Sequence, residues 1–349
     1  MGSIGYPPSP AGSHDEPLGE RFVFEGPKRY LENGLSVLVV GGGPGGLLTT
    51  LECWRKGSKV TLVDRASGPH DGSNLYGPAS CQFNDLERQV GRIGPHVGFM
   101  QNRRNFFFML LRQLDQYKIS IIWRKRVSEY YEDEKRNVGG VLFDNGERTE
   151  ANVIVAAGRG LHLSVMVSGD FVRMGPVKAL IHTTPKDTLV HWKLRWRDLN
   201  TDRTSPDGRI VQVGDSCYLF LPASGNGATQ ALKDATSLAT CLHIGGKGNA
   251  RVATKIHNRL RYERVSCSQL TFILDTQQHH FADWSKIAAR PSLVRTRFPE
   301  WMFKHDPEAY AISKYAETFM NVVSNGEIPL MNTNYLPEAI PISLGKWRI

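Results

Sequence analysis

Leu35 to Val40 is a short apolar run rich in β-branched residues, the pattern of a parallel strand buried on both faces. Leu47 to Lys56 then reads as a helix and Lys59 to Val63 as a second strand. Farther on, Phe106, Met109, Leu110 and Leu114 recur at helical spacing and predict a helix over Asn105 to Gln116. Val138 to Asp144, the turn pair Asn145-Gly146 and Ala151 to Ala157 predict a hairpin with a returning strand. Val177 to Ile181, Leu189 to Arg197 and Arg209 to Val213 read as strands. Ala231, Ala235, Leu238 and Leu242 form one face of a helix over Asn226 to Leu242, ended by Gly245-Gly246. Asp306-Pro307-Glu308 opens another helix, and residues 282–349 read as helical segments followed by Pro-rich pieces.

The chemistry sits where strands give way to helices. Gly41-Gly42-Gly43-Pro44-Gly45-Gly46 follows the first strand at once. In such a loop Gly41 permits the tight turn, Gly43 lets a pyrophosphate approach the backbone, and Gly46 lets the helix pack close to the strand. The helix N-terminus can then hold phosphate. Asp64 ends the second strand about 20 residues later, where a carboxylate can accept ribose hydroxyls. A second switch point follows the strand ending at Val213: Gly214-Asp215, then Leu221 to Ala228 and a helix N-terminus.

Composition narrows the class. The chain has 349 residues, 40% hydrophobic and 22% charged, as in ordinary globular proteins. Its five cysteines include no C-x-x-C pair, which fits reduced thiols and a cytoplasmic setting. No apolar run approaches the roughly 20 residues of a membrane helix. Met1 to Gly26 lacks the apolar stretch of a signal peptide, and Tyr6 leaves myristoylation unsupported. The net charge of +9 is scattered, with no recognition helix or zinc spacing, so neither nucleic acid nor a metal is expected.

With both glycine motifs in place, the chain resembles the FAD-dependent aromatic hydroxylases, the salicylate hydroxylase-like group A flavoprotein monooxygenases of fungal secondary metabolism. The matching pieces are Gly41 to Leu47, Val63-Asp64-Arg65, Arg103, Val153 to Ala157, and Gly214-Asp215 through Asp234. The resemblance implies an α/β fold: a Rossmann-like FAD-binding domain, a truncated β-sheet substrate domain and a helical C-terminus. The corresponding divisions are a mostly disordered lead-in over 1–34, a discontinuous FAD-binding domain over 35–165 and 205–275, a substrate-sheet remnant over 166–204, and a C-terminal helical segment and tail over 276–349. Gly41, Gly43 and Gly46 would cradle the pyrophosphate and Asp64 the adenosine ribose. Gly77, at a turn with Pro78, and Arg103 join the cofactor set. Asp215 would hold the ribityl chain, and Pro222 with the Gly225 to Ala228 backbone would face the ring. The implied reaction is reduction of FAD by NADPH and transfer of one oxygen atom from O₂ to an electron-rich carbon of a small-molecule substrate. Catalytic side chains and oligomeric state stay unassigned.

Three departures set a second reading beside the first. The family follows its Val-x-Ala-Ala strand with Asp-Gly, whereas here Gly158-Arg159-Gly160 follows. A small-plus-His pair after Gly-Asp is replaced by Ser216-Cys217-Tyr218-Leu219, and Lys233 stands at a commonly acidic place before Asp234. Only 56 positions separate Gly158 from Gly214, too few for the family's substrate sheet, with the loss placed near Arg173-Met174. The alternative is therefore an impaired FAD-binding remnant. An NAD-dependent dehydrogenase would leave Gly214-Asp215 unexplained. Tyr310 and Lys314 match a Y-x-x-x-K pair but lie inside a helix, and His279-His280 has no supporting ligand cluster. Trp192 and Trp196, four apart, share one side of a strand, where they could line a substrate cavity, although core packing is favoured.

Overall fold

The computed structural model describes residues 29–69, 103–158, 165–166, 195–196, 202–218, 220, 226–280 and 305–330. Five strands form a parallel sheet: β1 (Ser36–Val40), β2 (Lys59–Val63), β3 (Ile121–Ile122), β7 (Val153–Ala156) and β10 (Ile210–Gln212), in the order β10-β7-β1-β2-β3. A three-stranded antiparallel sheet of β4 (Val127–Asp133), β5 (Val138–Phe143) and β6 (Arg148–Ala151) covers one face. Helices α1 (Pro44–Arg55), α2 (Arg103–Gln116), α3 (Gly227–Gly245), α4 (Ala250–His280) and α5 (Pro307–Val323) cover the other. A short antiparallel pair, β8 (Val165–Met166) with β9 (Arg195–Trp196), completes the strands among the described residues.

The apolar run Val37 to Val40 of β1 has a direct structural reason. Val37 and Val39 pack with the helices, while Leu38 and Val40 pack with Val141 and Phe143 of the antiparallel sheet. Both faces are therefore buried. Each such side chain contributes about 1.5–3 kcal/mol when removed from water. The parallel register puts Val40 beside Val63 and Ala156, and Ala156 beside Gln212. The loops that leave these strands therefore emerge side by side at one edge.

One expected strand divides. Ala151 to Ala157 does not return as a single strand: Arg148–Ala151 completes the hairpin with β5, and Val153–Ala156 joins the parallel sheet between β1 and β10. Asn152 makes the crossing. Its Oδ1 accepts the Ser36 N–H and Oγ–H at 3.0 Å each, and its own N–H donates to Ser36 Oγ at 3.0 Å. The turn at Asn145-Gly146 is where the sequence places it, with Gly146 at φ 84°.

Both ends of the described chain are built into the helical layer. Within the expected lead-in, Tyr30 N–H donates to the Arg55 carbonyl at 2.8 Å, and Asn33 Nδ2 donates to the Lys56 carbonyl at 3.2 Å. At the other end Asp306 caps α5, accepting from Glu308 N–H at 2.9 Å and Ala309 N–H at 3.1 Å. Helix α5 packs on α3 and α4. Glu308 then binds Arg55 Nη2 at 2.6 Å and the buried Lys56 ammonium, closing the C-terminal end of α1. Tyr310 and Lys314 lie on α5, where Lys314 pairs with Glu317 at 2.7 Å. Val177 to Ile181, most of Leu189 to Arg197 including Trp192, and residues 331–349 lie outside the described residues.

Candidate functional site

Gly41 leaves β1 at φ 111°, a backbone state that side chains oppose, and its N–H donates to the Val63 carbonyl at 2.8 Å. A Cβ there would stand 2.6 Å from the Gly158 nitrogen. On Gly46, one turn into α1, a Cβ would overlap the Gly41 carbonyl oxygen. Gly43 is different. It caps α1 at φ −70°, and a Cβ would meet nothing within 4 Å. Gly41 and Gly46 are thus required by the protein's own packing, whereas Gly43 borders open space.

Asp64 faces this loop. One carboxylate oxygen accepts the Gly42 N–H and the other accepts the Ala66 N–H at 2.7 Å. The carboxylate is fixed beside the glycine turn by backbone alone, and each oxygen keeps capacity for a further donor.

The second motif forms a 3-10 turn, Gly214–Ser216, directly after β10. Gly214 has φ 59°. Ser216 ties the turn to both neighbouring strands: its Oγ accepts the Val213 N–H at 3.0 Å and donates to the Ala156 carbonyl. Asp215 is half-buried in the turn. Helix α3 begins at Gly227, so Ala228 lies exposed in its first turn.

The two glycine motifs converge on one residue. A Cβ on Gly214 would lie 3.2 Å from the Ala231 Cβ, and one on Gly45 would lie 3.5 Å from it. Ala231, near the start of α3, therefore separates the turn after β10 from the first turn of α1. Neither α1 nor α3 has a side-chain cap or an acidic residue in its first turn. Two helix N-termini without a side-chain cap at the carboxyl edge of a parallel sheet each carry the partial positive charge that suits an anion. Among the described residues this edge brings together Gly41, Gly43, Gly46, Asp64, Asp215 and Ala228. Gly77, Pro222 and Gly225 lie outside the described residues, and of Arg103 only the backbone, at the start of α2, is described.

Beneath the second motif lies a polar network that the sequence pattern does not reveal. Asp234 on α3 is 1% exposed. Its Oδ2 accepts the Gly214 N–H at 3.1 Å and the Tyr218 hydroxyl at 2.5 Å, and its Oδ1 accepts Arg261 Nε at 2.7 Å. Arg261 Nη2 also donates to Gln230 Oε1 at 2.8 Å. Burial raises the Asp234 carboxyl, but Arg261, His257 and the donated hydrogen bonds outweigh it and hold the group below the usual range. Burial, followed by the Asp234 charge, holds the Tyr218 phenol well above its ordinary value. The pair is therefore a carboxylate and a neutral phenol. Lys233 is buried beside it and pushed down to about 7, first by burial and then by Arg261 and Arg264.

His257 on α4 is 3% exposed, with Nδ1 at 3.2 Å from Ser237 Oγ. Burial lowers it to about 4, Arg261 and Arg203 push the same way, and Asp234 opposes them. Above pH 6.5 the ring is neutral whether the chain is folded or unfolded. Below 6.5 the unfolded chain takes up a proton that the folded chain refuses down to about pH 4. His257 should therefore contribute a fall in stability of about 1.4 kcal/mol per pH unit through that window, with half-buried His305, also held low, adding to it. Urea midpoints measured from pH 7 to 4 check this, and His257→Gln should flatten the slope; an unchanged slope would assign the acid lability elsewhere.

The described residues contain no group of three or more His, Cys, Asp or Glu able to hold a metal. No helix among them is long and apolar enough to cross a membrane.

No protein-family model matches the chain. It is 34% identical to the FAD-dependent monooxygenase mdpD of Emericella nidulans, over 89% of this chain and 86% of that protein. It is also 34% identical to the FAD-dependent monooxygenase dmxR9 of a Cryptosporiopsis species, over 89% and 86%, and 31% identical to fsr3 of Gibberella fujikuroi, over 88% and 84%. The match to mdpD runs over 450 positions, more than the 349 residues of the chain, so that relative carries residues inside the matched span that this chain lacks. Among solved structures the fold is similar to FqzB, with a TM-score of 0.69 at 20% identity, covering 90% of this chain and all of that one. It is also similar to CtdE in complex with FAD and a substrate, with a TM-score of 0.62 at 19% identity, covering 83% of this chain and all of that one.

Proposed function

The chain belongs to the family of FAD-dependent monooxygenases, and on that premise we propose that it binds one FAD along the carboxyl edge of its parallel sheet and oxygenates a small molecule. The proposed substrate is a phenolic, polyketide or terpenoid intermediate of a fungal secondary-metabolite pathway, hydroxylated or epoxidised with NADPH and O₂. One observation carries the cofactor assignment: two glycine motifs, distant in sequence, meet across Ala231 with two uncapped helix N-termini. A single glycine loop would serve many dinucleotides. The second turn, with Asp215, supplies a place for the remainder of a flavin nucleotide.

The open space at Gly43 suits a diphosphate approaching the α1 N-terminus, with Gly41 and Gly46 shaping the turn. Asp64, held by backbone N–H groups, would accept the adenosine ribose hydroxyls. Asp215 would hold the ribityl chain and the backbone at Ala228 would border the ring. Gly77, Arg103, Pro222 and Gly225 complete the proposed set on the sequence resemblance. When bound, FAD supplies the redox chemistry, taking two electrons from NADPH and activating O₂. The chain's part is to fix the cofactor's position and to keep water from the reacting centre.

The second reading, an FAD-binding remnant without turnover, is favoured by the 450 matched positions against 349 residues. A visible spectrum followed by anaerobic NADPH separates the two. The monooxygenase reading expects a yellow protein that NADPH bleaches within seconds. A yellow protein that stays yellow leaves the remnant standing alone, and a colourless one that takes up no added FAD removes both.

A further inference from the structure

A buried carboxylate joins the two halves of the second motif. Asp234 takes one hydrogen bond from the Gly214 backbone, one from Tyr218 at the exit of the same turn, and one from Arg261 on α4. Arg261 reaches back to both the side chain and the carbonyl of Gln230, at 2.8 and 3.4 Å, in the first turns of α3. The turn that carries Asp215 and the N-terminus of α3 are thereby held in one register. Tyr218 is itself fixed: it is 1% exposed, stacks edge-on to Phe220 at 5.4 Å and lies under the Arg203 guanidinium at 5.3 Å.

A buried ion pair is a poor source of bulk stability, because apolar residues of the same volume serve as well. Its worth lies in a geometry that apolar contacts do not specify. A phenol and a backbone amide sharing one carboxylate oxygen define that geometry sharply, since each hydrogen bond narrows distance and angle. The Gly214 N–H is the link that matters: moving the Asp234 oxygen moves the backbone on which Asp215 is mounted.

We propose that Asp234 and Tyr218 are positioning residues for the flavin, acting through the Gly214–Asp215 turn. The inference rests on the FAD reading above, and it assigns a role to the tyrosine that replaces the family's small-plus-His pair.

The test uses the full chain, stripped of flavin and titrated with FAD. Two variants are compared with the parent: Tyr218→Phe, and Glu308→Gln at the far end of α1. Three quantities are read: thermal midpoint, FAD dissociation constant, and the visible circular dichroism of bound flavin. Tyr218→Phe removes one charge-assisted hydrogen bond and keeps the ring, so it should fold. It should raise the FAD dissociation constant about tenfold and change the flavin dichroism band. Glu308→Gln should lower the thermal midpoint while leaving the dissociation constant within about twofold of the parent, since its partners Arg55 and Lys56 lie at the end of α1 opposite the glycine turn. A Tyr218→Phe protein with the parent's affinity and dichroism overturns the proposal, and so do two variants that lose FAD in proportion to lost stability. A parent chain that takes up no FAD fails differently, removing the functional reading along with this one.

Discussion

Gly46→Ala should destabilise the protein by about 3 kcal/mol or more and leave it without flavin. The added methyl would overlap the Gly41 carbonyl oxygen and lie 3.3 Å from the Ala157 Cβ. Gly41 cannot yield, because its φ of 111° and its hydrogen bond to Val63 fix it against the Gly158 backbone. Relief must therefore come from moving the end of β1 or lifting α1 from the sheet. Gly43→Ala is the informative partner. Gly43 has an ordinary φ and open surroundings, so its alanine variant should keep stability within about 0.5 kcal/mol. Its effect should appear only in FAD affinity, where the methyl occupies the proposed diphosphate approach. Denaturation midpoints and flavin content of the two variants check the pair; a Gly43→Ala protein with full flavin affinity removes the close-approach role from that residue.

Asp234→Leu should cost about 3–5 kcal/mol, measured by urea unfolding. The loss has two parts. The Gly214 N–H and the Tyr218 hydroxyl lose their acceptor, and Arg261, 2% exposed, keeps a buried charge without its partner. The second part dominates, and a double variant isolates it. Asp234→Leu with Arg261→Met should recover most of the lost stability, since both charges leave together. Flavin affinity should not recover with it, because the turn is still released. A double variant as unstable as the single would place the cost in the turn rather than in the orphaned guanidinium.

The glycine motifs were legible because their demand is local. A positive φ and a close helix are properties of a few consecutive residues, and the apolar run of β1 announces burial on both faces. The division at Asn152 was not legible, because Ala151 to Ala157 reads as one β-rich run and only the pairing with Ser36 shows where the chain changes sheet. Strand β4 escaped for a related reason: Ser128, Glu129 and Tyr130 are exposed, so no apolar alternation marks it. Helix α4 is hard to read because His257, Arg261 and Arg264 interrupt the apolar stripe of Ala253, Ile256, Leu260 and Val265 on its inward face. A pattern that equates polar with exposed cannot see it. The Asp234–Arg261 pair spans 27 positions and exists only once α3 and α4 pack. The sequence marks Ser216-Cys217-Tyr218-Leu219 as a departure from the family pattern, but the carboxylate that receives Tyr218 comes from a different element.

The clasp at Glu308 has a consequence for how the protein is made. It joins residues 252 and 253 positions apart, and α5 supplies part of the same core that backs the glycine turn. A nascent chain emerging from the ribosome displays β1, α1 and Asp64 early, yet the outer face of α3 and α4 and the partner of the buried Lys56 wait for residues 307–323. A chain that stops before that point leaves Lys56 buried beside no carboxylate and the α3–α4 surface uncovered, apolar area of the kind that exposes a folding intermediate to aggregation.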